Sequence, residues 1–148
     1  KSPSRSSTAT AAWVELPDSP MILLVDDEPL ILRSGQRLLE TMGCRTVLAE
    51  GGRKAIEIYS KQQNDISLVI LDLMMPEMDG SATLQKLLMI NPNVKVLLSS
   101  GYSGETNIVE TLLKEGAAGF IAKPYEPKDM CRSIGKILDI PSSLTRQP

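Results

Sequence analysis

Five short apolar runs punctuate the middle of the chain, at 21–25, 46–49, 66–71, 94–98 and 119–122, with starts about 20 to 28 residues apart. The first, third and fourth are apolar almost without interruption, the pattern of strands buried on both faces. Between the runs the period becomes helical. Ile31, Gly35, Leu38, Leu39 and Met42 fall on one helix face. Ile108, Leu112 and Leu113 do the same further on, and Met130, Ile134, Ile137 and Leu138 near the end. Segments 53–60 and 82–90 fit helices less sharply. Gly43 and Gly116 stand where helices would stop. Strand and helix alternate five times, which predicts an α/β fold of (βα)5 type, a parallel sheet covered on both faces and joined by right-handed crossovers. The units share no side-chain signature, which argues against a solenoid.

The chain has 148 residues, the size of one domain. Residues 1–19 are rich in Ser, Thr, Ala and Pro without periodicity and read as a flexible linker, with Trp13 in it and remote from any site. Residues 20–138 form the domain, and 139–148 read as a flexible tail. Lys1 rather than Met opens the chain, so a longer parent protein is expected. No apolar run approaches the roughly 18 residues of a membrane helix, so no membrane contact is expected of this chain. A net charge of −2 and 3% aromatic residues argue against nucleic-acid binding. Histidine is absent, which excludes a Ser-His-Asp triad, a His-ligated zinc and a histidine phosphodonor within these residues. Cys44 and Cys131 read as free thiols in a reducing cytoplasm.

In open α/β sheets ligands bind beyond the carboxyl ends of the strands. There the sequence places Asp26, Asp27 and Glu28 after the first run, Asp72 after the third, Ser99 and Ser100 after the fourth, and Lys123-Pro124 after the fifth. Taken singly, an aspartate there is often a helix cap, a serine a turn residue, a lysine a solvated charge. Together they make a hard-oxygen site suited to Mg2+. An aspartate beside a metal, a lysine and a hydroxyl can act as nucleophile toward a phosphoryl group.

With these residues in place, the chain resembles the receiver domains of bacterial two-component signalling over about residues 20–138. The resemblance rests on Leu23-Leu-Val-Asp-Asp-Glu-Pro29, Val69-Ile-Leu-Asp-Leu-Met-Met-Pro-Glu-Met-Asp-Gly80, Val96-Leu-Leu-Ser-Ser-Gly101 and Gly119-Phe-Ile-Ala-Lys-Pro124. It implies a flavodoxin-like doubly wound sheet of order 2-1-3-4-5. It implies Asp72 as phosphoacceptor and Asp26, Asp27, Asp72 and the Met74 backbone carbonyl as Mg2+ ligands. Ser99 would be the switch hydroxyl, Lys123 the phosphate's counter-charge, and the bond to Pro124 cis. Phe120 would be the aromatic switch, steric only because it lacks a tyrosine's hydroxyl. The donor would be a phosphohistidine on a histidine kinase or phosphotransfer domain. The surface of the fourth helix, fifth strand and fifth helix, about residues 104–138, would meet a downstream domain or a second copy. The isolated domain would not be an enzyme. Leu98-Ser-Ser-Gly-Tyr-Ser103 and Ile121-Ala-Lys-Pro-Tyr125 are similar to receivers at the C-terminus of hybrid sensor histidine kinases, which implies a cytoplasmic domain of a parent that is itself membrane-anchored in some cases.

Rival readings fit less well. A flavin module of this fold would want a phosphate-binding loop where Asp26-Asp27-Glu28 stands. A haloacid-dehalogenase-type phosphatase would want a second aspartate at position 74, which is Met74. A stand-alone response regulator and a phosphorylation-independent pseudo-receiver stay open. The second would be marked by loss of the acceptor or the acidic pair, and neither is lost.

Overall fold

The computed structural model describes residues 16, 18–101 and 106–140. In chain order the elements are β1 (Met21–Val25), α1 (Pro29–Thr41), β2 (Arg45–Ala49), α2 (Gly52–Gln62), β3 (Ile66–Asp72), α3 (Gly80–Ile90), β4 (Val96–Ser100), α4 (Thr106–Glu115), β5 (Gly119–Ala122) and α5 (Pro127–Ile137). The strands form one parallel sheet in the order β2-β1-β3-β4-β5, the doubly wound arrangement that the resemblance implies. Strand order reverses direction around β1 and β3, so a crevice opens beyond their carboxyl ends.

Strand alternation divides the core in two. Leu23, Val25, Val69, Leu71, Val96 and Leu98 meet Ala55, Tyr59, Leu84, Leu87 and Leu112 of α2, α3 and α4. Ile22, Leu24, Leu68, Ile70, Leu97 and Ile121 meet Leu32 and Leu39 of α1 and Met130 and Ile134 of α5. Central strands are covered on both faces, hence their unbroken apolar runs. Cys44 and Cys131 lie in the second layer as buried free thiols. Burial, then the neighbouring Cys131, pushes the Cys44 thiol up to about 12, so it is inert. Gly43 and Gly116 close α1 and α4 with φ of 87° and 131°. Among the described residues no helix is long and apolar enough to cross a membrane.

Boundaries depart from the hydrophobic pattern at three places. Val94 belongs to a turn, its N–H donating to the Asn91 carbonyl at 3.0 Å while Asn91 Oδ1 accepts from the Asn93 N–H at 3.0 Å. β4 therefore starts at Val96 and carries both serines in its ladder, Ser99 beside Asp72 and Ile121, Ser100 beside Ala122. Leu16, within the expected linker, is buried in the α1/α5 layer, and its N–H donates to the Met42 carbonyl at 2.7 Å. Ile140, within the expected tail, packs against the same layer and donates to the Gly135 carbonyl at 2.7 Å. Apolar burial thus extends the packed unit past residues 20 and 138. Residues 1–15, Trp13 included, and 17 of the expected linker and 141–148 of the expected tail lie outside the described residues.

Candidate functional site

Asp26 follows β1 directly and is fully buried. Its N–H donates to the Ala49 carbonyl at 3.1 Å, its Oδ1 accepts from the Glu28 N–H at 2.9 Å, and its Oδ2 accepts from Lys123 Nζ at 3.0 Å. Glu28, not Asp26 or Asp27, is the N-cap residue of α1, and Pro29 begins the helix. The helix-cap reading of the two aspartates therefore falls away. Asp27 is exposed. Asp72 ends β3 at 2% exposure, and its Oδ1 accepts from Lys123 Nζ at 3.2 Å and from the Met74 N–H at 3.4 Å. Met74 itself is exposed. The loop after Asp72 is held by the Leu73 N–H on the Ser99 carbonyl at 3.0 Å and the Gly80 N–H on the Leu73 carbonyl at 3.1 Å. A Cβ on Gly80 would come within 2.8 Å of Leu73 Cα and 2.9 Å of the Asp72 carbonyl oxygen, so only glycine fits so close to the loop.

Asp26, Asp27 and Asp72 each offer a carboxylate oxygen, all within 4.8 Å of one another. Burial, then the charge of Asp26, pushes the Asp72 carboxyl up to about 6, against the pull of Lys123 and the Met74 N–H. Burial disfavours the Lys123 ammonium, yet its hydrogen bond to Asp26 and the charges of Asp72 and Asp26 outweigh that, so its pKa is raised. Lys123 is thus a fixed, largely buried cation rather than a solvated surface charge. One ammonium against three carboxylates leaves a site that gains from a further cation. The donor set is all hard oxygen and closely spaced, which fits Mg2+.

Laterally paired residues of a parallel ladder share a sheet face. Asp72 pairs with Ser99, so Ser99 lies on the α1/α5 side next to the carboxylate. It is fully buried, and its Oγ accepts from the Tyr125 hydroxyl at 3.1 Å. Phe120 pairs with Leu98, and Ser100 with Ala122, on the opposite face. By register, the serine side chain that shares a sheet face with Phe120 is that of Ser100, while Ser99 shares the face of Asp72. The Lys123 N–H donates to the Ser100 carbonyl at 2.9 Å, and the Lys123–Pro124 bond is cis. Tyr125 is the site residue that sequence reasoning passes over. Burial pushes its hydroxyl up to about 12, so it is a neutral donor. Its only signal was a hydroxyl-bearing aromatic just past Pro124.

Residues 22–135 match the response regulator receiver domain family. The chain is 31% identical over 125 residues to the sensor kinase CckA of Brucella abortus, across 84% of this chain and 13% of the relative. It is 30% identical to the chemotaxis protein CheY of Thermotoga maritima, across 78% of this chain and 95% of the relative. Among solved structures it is similar to the CheX-CheY-BeF3-Mg complex from Borrelia burgdorferi, with a TM-score of 0.76, 26% identity, and 80% of this chain and 88% of that one covered. It spans only 13% to 31% of the length of several curated relatives.

Proposed function

From the premise that the chain belongs to the response regulator receiver domain family of two-component signalling, we propose that Asp72 is the phosphoacceptor of a phosphorelay. The observation that carries the reading is the Lys123 ammonium bonded at once to Asp26 and Asp72. It places a fixed positive charge where negative phosphoryl oxygens must arrive. An Asp72 carboxylate oxygen attacks phosphorus, the N–P bond of a donor phosphohistidine breaks, and the imidazole leaves with its electron pair and takes a proton. The product is an acyl phosphate. Asp26, Asp27, Asp72 and the Met74 carbonyl would hold Mg2+, which when bound supplies the positive charge that lets two anions meet. Lys123 keeps Asp72 ionised and then pairs with the new phosphate.

Ser100 is the hydroxyl we assign to the switch, in place of Ser99, because its face is that of Phe120. Output then passes to the α4-β5-α5 surface, toward a downstream domain or a second copy. Similarity to a sensor kinase of which the chain matches 13% supports a place within a hybrid sensor histidine kinase.

The test is intact-mass measurement after incubation with acetyl phosphate and Mg2+. Wild type gains one phosphoryl group and Asp72→Asn gains none. Equal labelling of the variant would end the reading. Ser100→Ala should still label, yet leave the amide NMR signals of α4, β5 and α5 close to their unphosphorylated positions.

A further inference from the structure

The Tyr125–Ser99 hydrogen bond has no part in the reading above. Tyr125 stands two residues after Lys123, in the turn between β5 and α5. Its ring packs against the α1/α5 layer, and a Cβ on Gly35 of α1 would lie 3.4 Å from Cε2 of that ring. Its hydroxyl reaches down to Ser99 Oγ at 3.1 Å, on a fully buried side chain paired laterally with Asp72. One short polar contact therefore ties the turn that carries the ammonium to the strand beside the acceptor.

The geometry points to Tyr125 as a positioning residue of the phosphoryl site, its hydroxyl acting through Ser99 to hold the Lys123 turn so that the ammonium stays on Asp72. This inference rests on the phosphoacceptor reading. A serine hydroxyl has one proton and two lone pairs. Tyr125 fills one lone pair and leaves the Ser99 proton free for the side of Asp72. On the other flank the Lys123 N–H is fixed to the Ser100 carbonyl at 2.9 Å. The Lys123 turn is thereby tied at its backbone by Ser100 and through Tyr125 by Ser99. Loss of the phenolic oxygen frees the second tie while the ring keeps its packing.

The experiment uses Tyr125→Phe, Ser99→Ala and the double variant in the full chain. With acetyl phosphate and saturating Mg2+, each single variant should label about five- to ten-fold more slowly, the worth of one net hydrogen bond. The double variant should be no slower than either single one, because both remove the same contact. All three should still reach one phosphoryl group. A merely structural role would lower the melting temperature and leave the rate at 25 °C unchanged. Rates within two-fold of wild type, or losses that multiply in the double variant, would overturn the inference. A second readout does not need labelling: the 15N-detected ammonium signal of Lys123 in metal-free protein should broaden or shift in Tyr125→Phe and hold still in Tyr59→Phe, a distant tyrosine on the other sheet face. If wild type itself takes no phosphate, the phosphoacceptor reading fails, and an unmoved ammonium signal separately ends the positional one.

Discussion

Asp72 works against the fold that carries it. Its carboxyl is moved from 3.8 to about 6, by burial first and the charge of Asp26 second. A folded-state pKa above the unfolded one means the metal-free protein holds a proton that the unfolded chain releases. The stabilising contribution is therefore complete below about pH 4 and lost as pH rises through about 6. The charged form costs on the order of 3 kcal/mol at neutral pH. Asp72→Asn should melt close to wild type at pH 4 and several degrees higher at pH 7.5 in chelator, and Mg2+ should stabilise wild type more than the variant. A gap that does not widen with pH would contradict this account. Lys123 is the other side of the same balance. Lys123→Met should destabilise the metal-free protein by about 3 kcal/mol by leaving buried carboxylates unpaired, and Mg2+ should restore more stability to it than to wild type in thermal melts. That Asp26, Asp27, Asp72 and Lys123 converge was legible because a strand end fixes position whatever the neighbours do. Tyr125 was not, since its partner depends on which way a serine points.

At the scale of elements, that serine shows where a hydrophobic pattern stops being informative. The run 94–98 contains Lys95 and ends at two polar residues, so polarity puts the strand end two residues early. The ladder instead runs to Ser100, because the serines' backbone groups pair with β3 and β5 whatever their side chains are. Neighbouring residues of a strand face opposite sides, so Ser99 shares its face with Asp72 and Ser100 shares its face with Phe120, a distinction that polarity alone does not carry. The start of α3 is misplaced by as much, since the pattern begins it at 82 and the helix begins at Gly80. Asp79 caps α3, its Oδ1 accepting from the Ala82 N–H at 2.9 Å, and Asp79→Ala should cost about 1 kcal/mol in urea denaturation while labelling normally. Gly80→Ala, one residue on, should cost about 1–3 kcal/mol and also slow labelling, because the atoms it displaces belong to Leu73 and to the Asp72 carbonyl. Normal labelling there would mean the loop yields without moving the acceptor.

For the whole molecule, the site and the anchor of the N-terminal segment sit at opposite ends of the sheet. Asp26 and Asp72 lie at the carboxyl ends of β1 and β3, whereas Leu16 bonds to Met42 just past the end of α1, near the start of β2. Arg45 of β2 completes the anchor, its backbone N–H on the Pro20 carbonyl and its Nε on the Ser19 carbonyl, each at 2.9 Å. Leu16, between Glu15 and Pro17 at the end of a segment without period, gives no strand or helix pattern, so the sequence shows the five repeating units plainly and this strap not at all. Burying Leu16 contributes about 2 kcal/mol, and its hydrogen bond to Met42 about 1 kcal/mol more. A chain beginning at residue 20 should therefore unfold at lower urea than one beginning at residue 15, by about 3 kcal/mol, and melt roughly 10 °C or more lower. Leu16→Ser in the full chain should reproduce most of that loss. Phosphoryl labelling at 25 °C should stay at one group per chain, at the wild-type rate, in all three, since nothing in the strap touches the carboxylates. Equal stability of the two shortened chains would show that the strap lies on the core without holding it, and slower labelling would mean that the two ends of the sheet are coupled.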